Sequence, residues 1–274
     1  MSVVLRAGAS SDVGRLRQIN QDSFVLLPDR DLYIVADGMG GHQGGEVASR
    51  LAIETIQVAY DAPSADALSE ALAVANQRIH NQAAADPNLH GMGTTVVAAA
   101  LMSADGVDAD DDEDHPQLLI ANVGDSRAYL YRDGDLIQLT DDHSLVADMV
   151  REGRISPAEA EVHPQRNIVT RVLGVYEQVE ADLWPVDPVS GDRIVLCSDG
   201  LFNEVGDDQI SAVLRRLDDP QDASAELVRL ANEGGGRDNI TVGVLDVVDD
   251  GGVAQRASAA LAGGSSGLQS DRDL

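Results

Sequence analysis

The sequence predicts an α+β fold layered on antiparallel strands. Three observations carry that expectation. Strand-like runs come in neighbouring pairs and triples separated by helical segments, rather than in strict strand–helix alternation. Hairpin turns are signalled at Pro28-Asp29-Arg30-Asp31 and at Asp133-Gly134. The chain of 274 residues is 43% hydrophobic but only 3% aromatic, so a domain-sized core must rest on Val, Leu, Ile and Ala.

Taken in order, "DSFVLLPDRDLYIVADG" reads as two strands joined by a Pro/Asp turn. "GGEVASRLAIETIQVAY" places Val47, Leu51, Ile53, Ile56 and Val58 at helical spacing, and "SADALSEALAVANQRIHNQAA" gives a second helix. "TTVVAAALMS" and "QLLIANVG" are strand-like, and between them the like-charge block at 105–116 reads as a solvated loop without EF-hand spacing. "SRAYLYRDGDLIQLT" alternates around Asp133-Gly134, which suits a type I′ turn. The following segment, from Ser144 to Gly174, reads as helical and broken by Gly153, Pro157 and Pro164. "QVEADLWPV" and "DRIVLCSDG" are strands, two short helices cover Asp207–Leu217 and Ala223–Glu233, and "DNITVGVLDVV" is a final strand. One domain over 1–248 is expected, with residues 249–274, small, polar and glycine-rich, as a disordered tail.

The formal charge of −28 comes from 47 acids against 19 bases, every one of them arginine. Such a surface argues against a nucleic-acid backbone or an anionic membrane as partner. No apolar run nears the ~20 residues of a membrane span, and the N-terminus lacks the pattern of a secretory signal. The single cysteine, Cys197, excludes an internal disulfide framework and fits a reducing compartment, so a cytoplasmic protein is expected; a monomer is expected as well. Set in "DRIVLCSDG", Cys197 itself reads as a buried strand thiol.

Five aspartates share one context. Asp22, Asp37, Asp125, Asp199 and Asp238 each sit where an apolar strand begins or ends, beside glycine or another turn-forming residue. Singly, an Asp-Gly pair is only a turn. Together, carboxylates without an accompanying Cys or His cluster suit hard cations such as Mg²⁺ or Mn²⁺. The glycine-dense stretch "ADGMGGHQGGE" around Asp37 admits three readings: a phosphate cradle, a tight turn, or one wall of a metal site. A Walker loop is excluded because the chain has no lysine, and a dinucleotide fingerprint is disfavoured by Asp37 directly ahead of the glycines and by the missing βαβ crossover. The G-x-S-x-G of a serine hydrolase is absent.

In order and at fitting separations, "RQINQDS", "ADGMGGHQGGEVAS", "GMGTTV", "NVGDSRAYL", "LTDDHS", "RVLG", "LCSDGL" and "DNITV" resemble the metal-dependent Ser/Thr protein phosphatase family, the type-2C class, in its bacterial form. The resemblance runs from about Ala7 to Val247. It implies a four-layer αββα sandwich, two mostly antiparallel sheets flanked by helices, with a two-metal site at one end. By the same resemblance Asp37 is the carboxylate shared by two Mn²⁺ or Mg²⁺ ions, with the Gly38 carbonyl as a further ligand, and Asp199 and Asp238 bind the first ion. Asp22 reaches the second through water. Asp125, with Asp199, holds a third ion, to which Asn167 also extends. Arg17 resembles the arginine that grips the substrate phosphate, and residues 145–173 the mobile flap.

The implied reaction is hydrolysis of phosphoserine and phosphothreonine monoesters in proteins by a water bridging two cations. The implied partners are phosphorylated proteins and a bacterial Ser/Thr kinase. A non-catalytic phosphoprotein-binding module on the same fold is the alternative, expected to have lost such carboxylates. Many eukaryotic relatives carry a histidine directly after Asp-Gly, but here that place is Met39 and the nearest imidazole is His42. His42 is therefore open to two readings, general acid for the leaving alkoxide or hydrogen-bonding within the glycine loop. For His143, in "DDHS", a turn or helix-cap role is expected.

Overall fold

A computed structural model describes residues 3–41, 43–102 and 116–249. In chain order the elements are β1 (Val3–Asp12), β2 (Asp22–Leu27), β3 (Leu32–Met39), α1 (Gly44–Ala59), α2 (Ala65–Ala85), β4 (Gly93–Thr94), β5 (Val96–Met102) and β6 (Gln117–Val123). They continue with β7 (Arg127–Arg132), β8 (Asp135–Gln138), α3 (Leu145–Arg151), α4 (Pro157–Glu161), β9 (Asp182–Val186), β10 (Arg193–Cys197), α5 (Asp199–Phe202), α6 (Asp207–Arg216), α7 (Pro220–Gly234) and β11 (Ile240–Asp249).

The strands form two sheets whose pairings are all antiparallel. One runs β1-β11-β10-β7-β8 and the other β2-β3-β5-β6-β9, with β4 paired to β3. Period-2 alternation assigns the two faces of each central strand to different cores. In β3, Tyr33 and Val35 face the other sheet and share a core with Val97 and Ile120 of their own sheet and with Ile194, Leu196 and Leu245 of the other. Leu32, Ile34 and Ala36, one step out of phase, pack under α1 and α2 against Ala48, Ile56, Leu68 and Ile79. On the other sheet Val195, Cys197, Val242 and Val244 pack under α6 and α7 against Ile210, Leu214 and Leu227. The result is the expected α, β, β, α order of layers. With both faces of the central strands covered, their sequences are continuous apolar runs rather than alternating ones. Cys197 is fully buried, and burial pushes its thiol up to about 12, as the strand-thiol reading requires.

Particular expectations meet particular outcomes. The β2–β3 connection turns through a short 3₁₀ segment, Pro28–Arg30, capped by Asp31 in the left-handed region (φ 47°). Asp133 and Gly134 both have positive φ (54° and 96°), which a type I′ turn demands. The segment from Ser144 to Gly174 is less helical than its sequence suggests: α3 stops before Gly153, α4 starts at Pro157 behind a Ser156/Glu159 capping box, and turns follow. β1 was not foreseen. It pairs with β11 over its whole length, from Val3↔Asp249 to Asp12↔Ile240. The acidic block at 105–116 falls almost wholly outside the described residues, as do all but the first residue of 249–274. Among the described residues no helix is long and apolar enough to cross a membrane.

Candidate active site at one end of the sandwich

Both sheets end together. The start of β2, the end of β3, the β6–β7 turn, the end of β10 and the start of β11 meet at one end of the sandwich, and each carries one of the five aspartates. Asp22 opens β2 and lies directly opposite Asp37 in the β2–β3 register. Like charges facing each other across a ladder are destabilising, so no packing requirement explains this pair. Asp125 stands in the turn after β6, Asp199 opens α5 behind β10, and Asp238 precedes β11.

The carboxylates perturb one another. Burial, then Asp22, Asp199, Asp125 and Asp238 in turn, push Asp37 well above the usual carboxylate range. Burial raises Asp22 to about 7, helped by Asp199 and Asp238 and opposed by the hydroxyls of Thr241 and Ser198. Asp125 is likewise raised to about 7 by burial and by Asp199, and Asp199 to about 6 by burial and by Asp238. Arg17, half-exposed on the β1–β2 loop, is ion-paired to Asp238 at 2.5 Å and lowers Asp199. Arg127 lowers Asp125 and Asp199, but its own guanidinium is committed: it is bidentate to Asp142 at 2.7 and 2.9 Å and stacks 3.8 Å over Phe202.

Hydroxyl and amide side chains hold the acids in place. The Ser198 hydroxyl donates to Asp22 Oδ2 (2.8 Å) and accepts from the Thr241 amide, which ties the first sheet to the second. Among the described residues Asp22 Oδ1 is buried with no hydrogen-bond partner. Thr95 Oγ1 accepts from the Asp37 amide and shares a 2.7 Å hydrogen bond with Ser126 Oγ, beside Asp125. Asn203 donates to Asp199 Oδ2 at 3.1 Å. Asn239 donates to the Val13 and Ile19 carbonyls and accepts from the Gln21 amide, so the Arg17 loop is docked on the strand start that carries Asp238.

The glycine stretch serves close backbone approach. A Cβ on Gly38 would stand 2.1 Å from the Gly45 carbonyl oxygen, and one on Gly45 would stand 2.5 Å from that of Gly38. The first turn of α1 thus lies directly on the end of β3. Glu46 falls in that first turn, where a negative charge suits the helix dipole. His42 lies outside the described residues. His143 does not cap α3, because Ser144 does. Instead its Nδ1 accepts the Gly124 amide at 3.0 Å, which places the proton on Nε2 facing Asp182, and so it braces the turn ahead of Asp125. Asn167 is exposed, and among the described residues no side-chain hydrogen bond joins it to the acids. Thr95, Ser126, Ser198, Asn203 and Asn239 were not singled out from the sequence, although all but Thr95 and Asn203 sit beside one of the five aspartates.

Among the described residues the carboxylates do not close into a ready cluster of three metal ligands. They lie near enough to repel one another instead. An all-oxygen donor set, mutual repulsion and an orphaned buried oxygen on Asp22 fit divalent cations whose shells are completed by water. Two arginines, both already engaged, leave that charge largely uncompensated.

Comparison with known proteins gives a consistent picture. The family model described as protein phosphatase 2C matches residues 12–240. The serine/threonine protein phosphatase PstP of Mycobacterium tuberculosis is 41% identical over 253 residues, which is 91% of this chain and 46% of PstP. The serine/threonine phosphatase stp of Listeria monocytogenes is 37% identical over 249 residues, 87% of this chain and 94% of that protein. The chain thus spans about half the length of PstP and nearly all of stp. Among solved structures, M. tuberculosis PstP/Ppp superposes with a TM-score of 0.80 at 39% identity, covering 90% of this chain and 100% of that one. The catalytic domain of PstP in complex with two manganese ions gives a TM-score of 0.77 at 39% identity with the same coverage.

Proposed function

The chain belongs to the protein phosphatase 2C family, and from that premise we propose that it hydrolyses phosphoserine and phosphothreonine monoesters in proteins with the help of divalent cations. The observation that carries this reading is the convergence of five carboxylates from both sheets, with Asp22 Oδ1 lacking a hydrogen-bond partner among the described residues. Manganese in the PstP structure and the oxygen-only donor set support Mn²⁺ or Mg²⁺ as the cations. Asp37, with the Gly38 carbonyl, would be shared by two of them. Asp199 and Asp238 would hold the first, Asp22 would reach the second through water, and Asp125 with Asp199 would hold a third. When bound, such cations supply an activated water and neutralise phosphoryl oxygens.

The chain's own residues do the rest. Arg17 offers a planar, permanently charged fork for two phosphate oxygens. Its pairing with Asp238 keeps that fork at the rim of the site, and a phosphate would compete with Asp238 for it. Thr95, Ser198 and Asn203 hold Asp37, Asp22 and Asp199 against their mutual repulsion. Residues 145–173 would act as a flap beside the site. Phosphorylated proteins and a bacterial Ser/Thr kinase acting on them are the partners this reading implies. A cytoplasmic location agrees with the lone, buried Cys197. A purely phosphoprotein-binding role is disfavoured, because such a module has no use for five mutually repelling acids.

The test is hydrolysis of p-nitrophenyl phosphate with Mn²⁺, with EDTA, and by Asp199→Asn. Turnover should require the cation and fall by about 10²-fold or more in the variant. Metal-independent turnover, or an unaffected Asp199→Asn, would contradict the proposal.

A further inference from the structure

In a molecule of net charge −28, most of the described arginines are spent on acids or backbone carbonyls. Arg15 belongs to the minority that are not: it is exposed, and among the described residues it has no ion pair and no side-chain hydrogen bond. Its position is fixed nonetheless. The Arg15 and Leu16 amides both donate to the Gly236 carbonyl, at 2.7 and 3.3 Å. The Arg15 Cγ lies 3.0 Å from where a Cβ on Gly236 would stand, so the stem runs over that glycine, whose φ of +55° favours the absence of a side chain. The next two residues are Arg237 and Asp238. Arg237 is 60% exposed and gives Nε and Nη2 to Glu204 and Nη2 also to the Asn203 carbonyl, with Nη1 unpartnered among the described residues. Asp238 holds Arg17.

Three arginine stems therefore leave one small area of surface at the rim of the acidic site. One is the proposed phosphate grip, one is partly neutralised by Glu204, and one is free. From this juxtaposition we infer that Arg15, with the outer edge of Arg237, forms a second anion subsite. It selects substrates with a carboxylate or a second phosphate close in sequence to the scissile phosphoresidue. The inference rests on the phosphatase reading above and names the substrate class for it.

The chemistry favours such a ligand. Guanidinium groups bind carboxylate and phosphate oxygens in a two-pronged geometry. Consecutive residues of an extended peptide advance ~3.3–3.6 Å, so a flanking residue one to three positions away stays within reach of an arginine beside the phosphate site. Elsewhere the acidic surface repels an acidic segment, over a Debye length of ~8 Å at physiological salt. The arginine rim reverses that sign beside the acidic site. The dull alternative is a solvated surface arginine that recognises nothing, and it predicts no selectivity.

Three kinds of phosphothreonine peptide decide between them. One has neutral flanks, one has Asp-Glu flanks on the N-terminal or C-terminal side in separate versions, and one has a phosphoserine in place of the acids. The readout is the ratio of kcat/KM for each anionic peptide to that for the neutral one, with Mn²⁺ present. The wild type should favour the anionic peptides about three- to five-fold on at least one side, as for one exposed charge pair. The phosphoserine arm separates phosphate from carboxylate recognition. Arg15→Ala should bring the ratio close to one, and Arg15→Glu should invert it, with circular dichroism showing an intact fold for both. A ratio near one in the wild type, or a ratio unchanged by Arg15→Glu, overturns the subsite. Failure to hydrolyse the neutral peptide at all would instead overturn the phosphatase reading.

Discussion

At the residue scale, the site is a place where stability is given up for chemistry. Asp22, Asp37, Asp125 and Asp199 all hold their protons to higher pH than an unfolded chain would. Between the unfolded carboxylate range near 4 and the folded values of about 6 to 7, the native protein therefore binds more protons than the unfolded one. Unfolding free energy must then fall as pH rises through that window. In EDTA, the Tm should drop between pH 5 and pH 7.5. Excess Mn²⁺ should remove most of the drop by binding the ionised native form. Asp37→Asn should raise the metal-free Tm at pH 7.5 and flatten its pH dependence. A metal-free Tm that rises across this window, or an Asp37→Asn variant less stable than the wild type at pH 7.5, would show that the acids are not in conflict. Each of these aspartates was legible in the sequence, because a carboxylate beside a turn at a strand end is a recognisable pattern. Their conflict was not legible, because it depends on the Asp22↔Asp37 register and on convergence from five separate strand ends.

At the element scale, loops are held to strand ends by a few side chains that no local sequence pattern marks. Asn239 is 4% exposed and makes three hydrogen bonds to the loop carrying Arg17. Asn239→Ala should cost about 2–4 kcal/mol, since two carbonyls and an amide lose their partner. The same change should lower kcat/KM for a phosphopeptide about ten- to a hundred-fold by letting Arg17 drift. Urea denaturation and steady-state kinetics would measure both. Unchanged kcat/KM in the variant would mean that the loop finds its position without Asn239. β1 is invisible to local pattern for a related reason. After Val3, Val4 and Leu5 its sequence turns to Ala, Gly and Ser, which carry little strand preference of their own. Its strand character comes from pairing with β11, a tertiary fact. Gly153 and Pro157 do break the helical run, yet the stretch beyond α4 forms turns, since its helix-compatible composition is not backed by a buried face.

At the scale of the whole molecule, two sheets stacked face to face bring their strand ends together, and that alone assembles the site. The α+β class followed from the grouping of strands and helices, and the four layers from the family resemblance. The sheet order β1-β11-β10-β7-β8 could not be read from any local pattern, because β1 and β11 stand at opposite ends of the chain. Alternation within the strands then explains how three separate cores share the same few β-strands. The central claim is that the five acids at this end bind cations that hydrolyse phosphoprotein esters. Its most direct test is phosphate release from a phosphothreonine peptide at saturating Mn²⁺ by the wild type and by Asp37→Asn, with Mn²⁺ binding to both followed by calorimetry. The wild type should bind at least two ions and release phosphate; Asp37→Asn should lose an ion and about 10³-fold or more of the rate. Phosphate release by Asp37→Asn at the wild-type rate, or a wild type that binds no Mn²⁺, would contradict it.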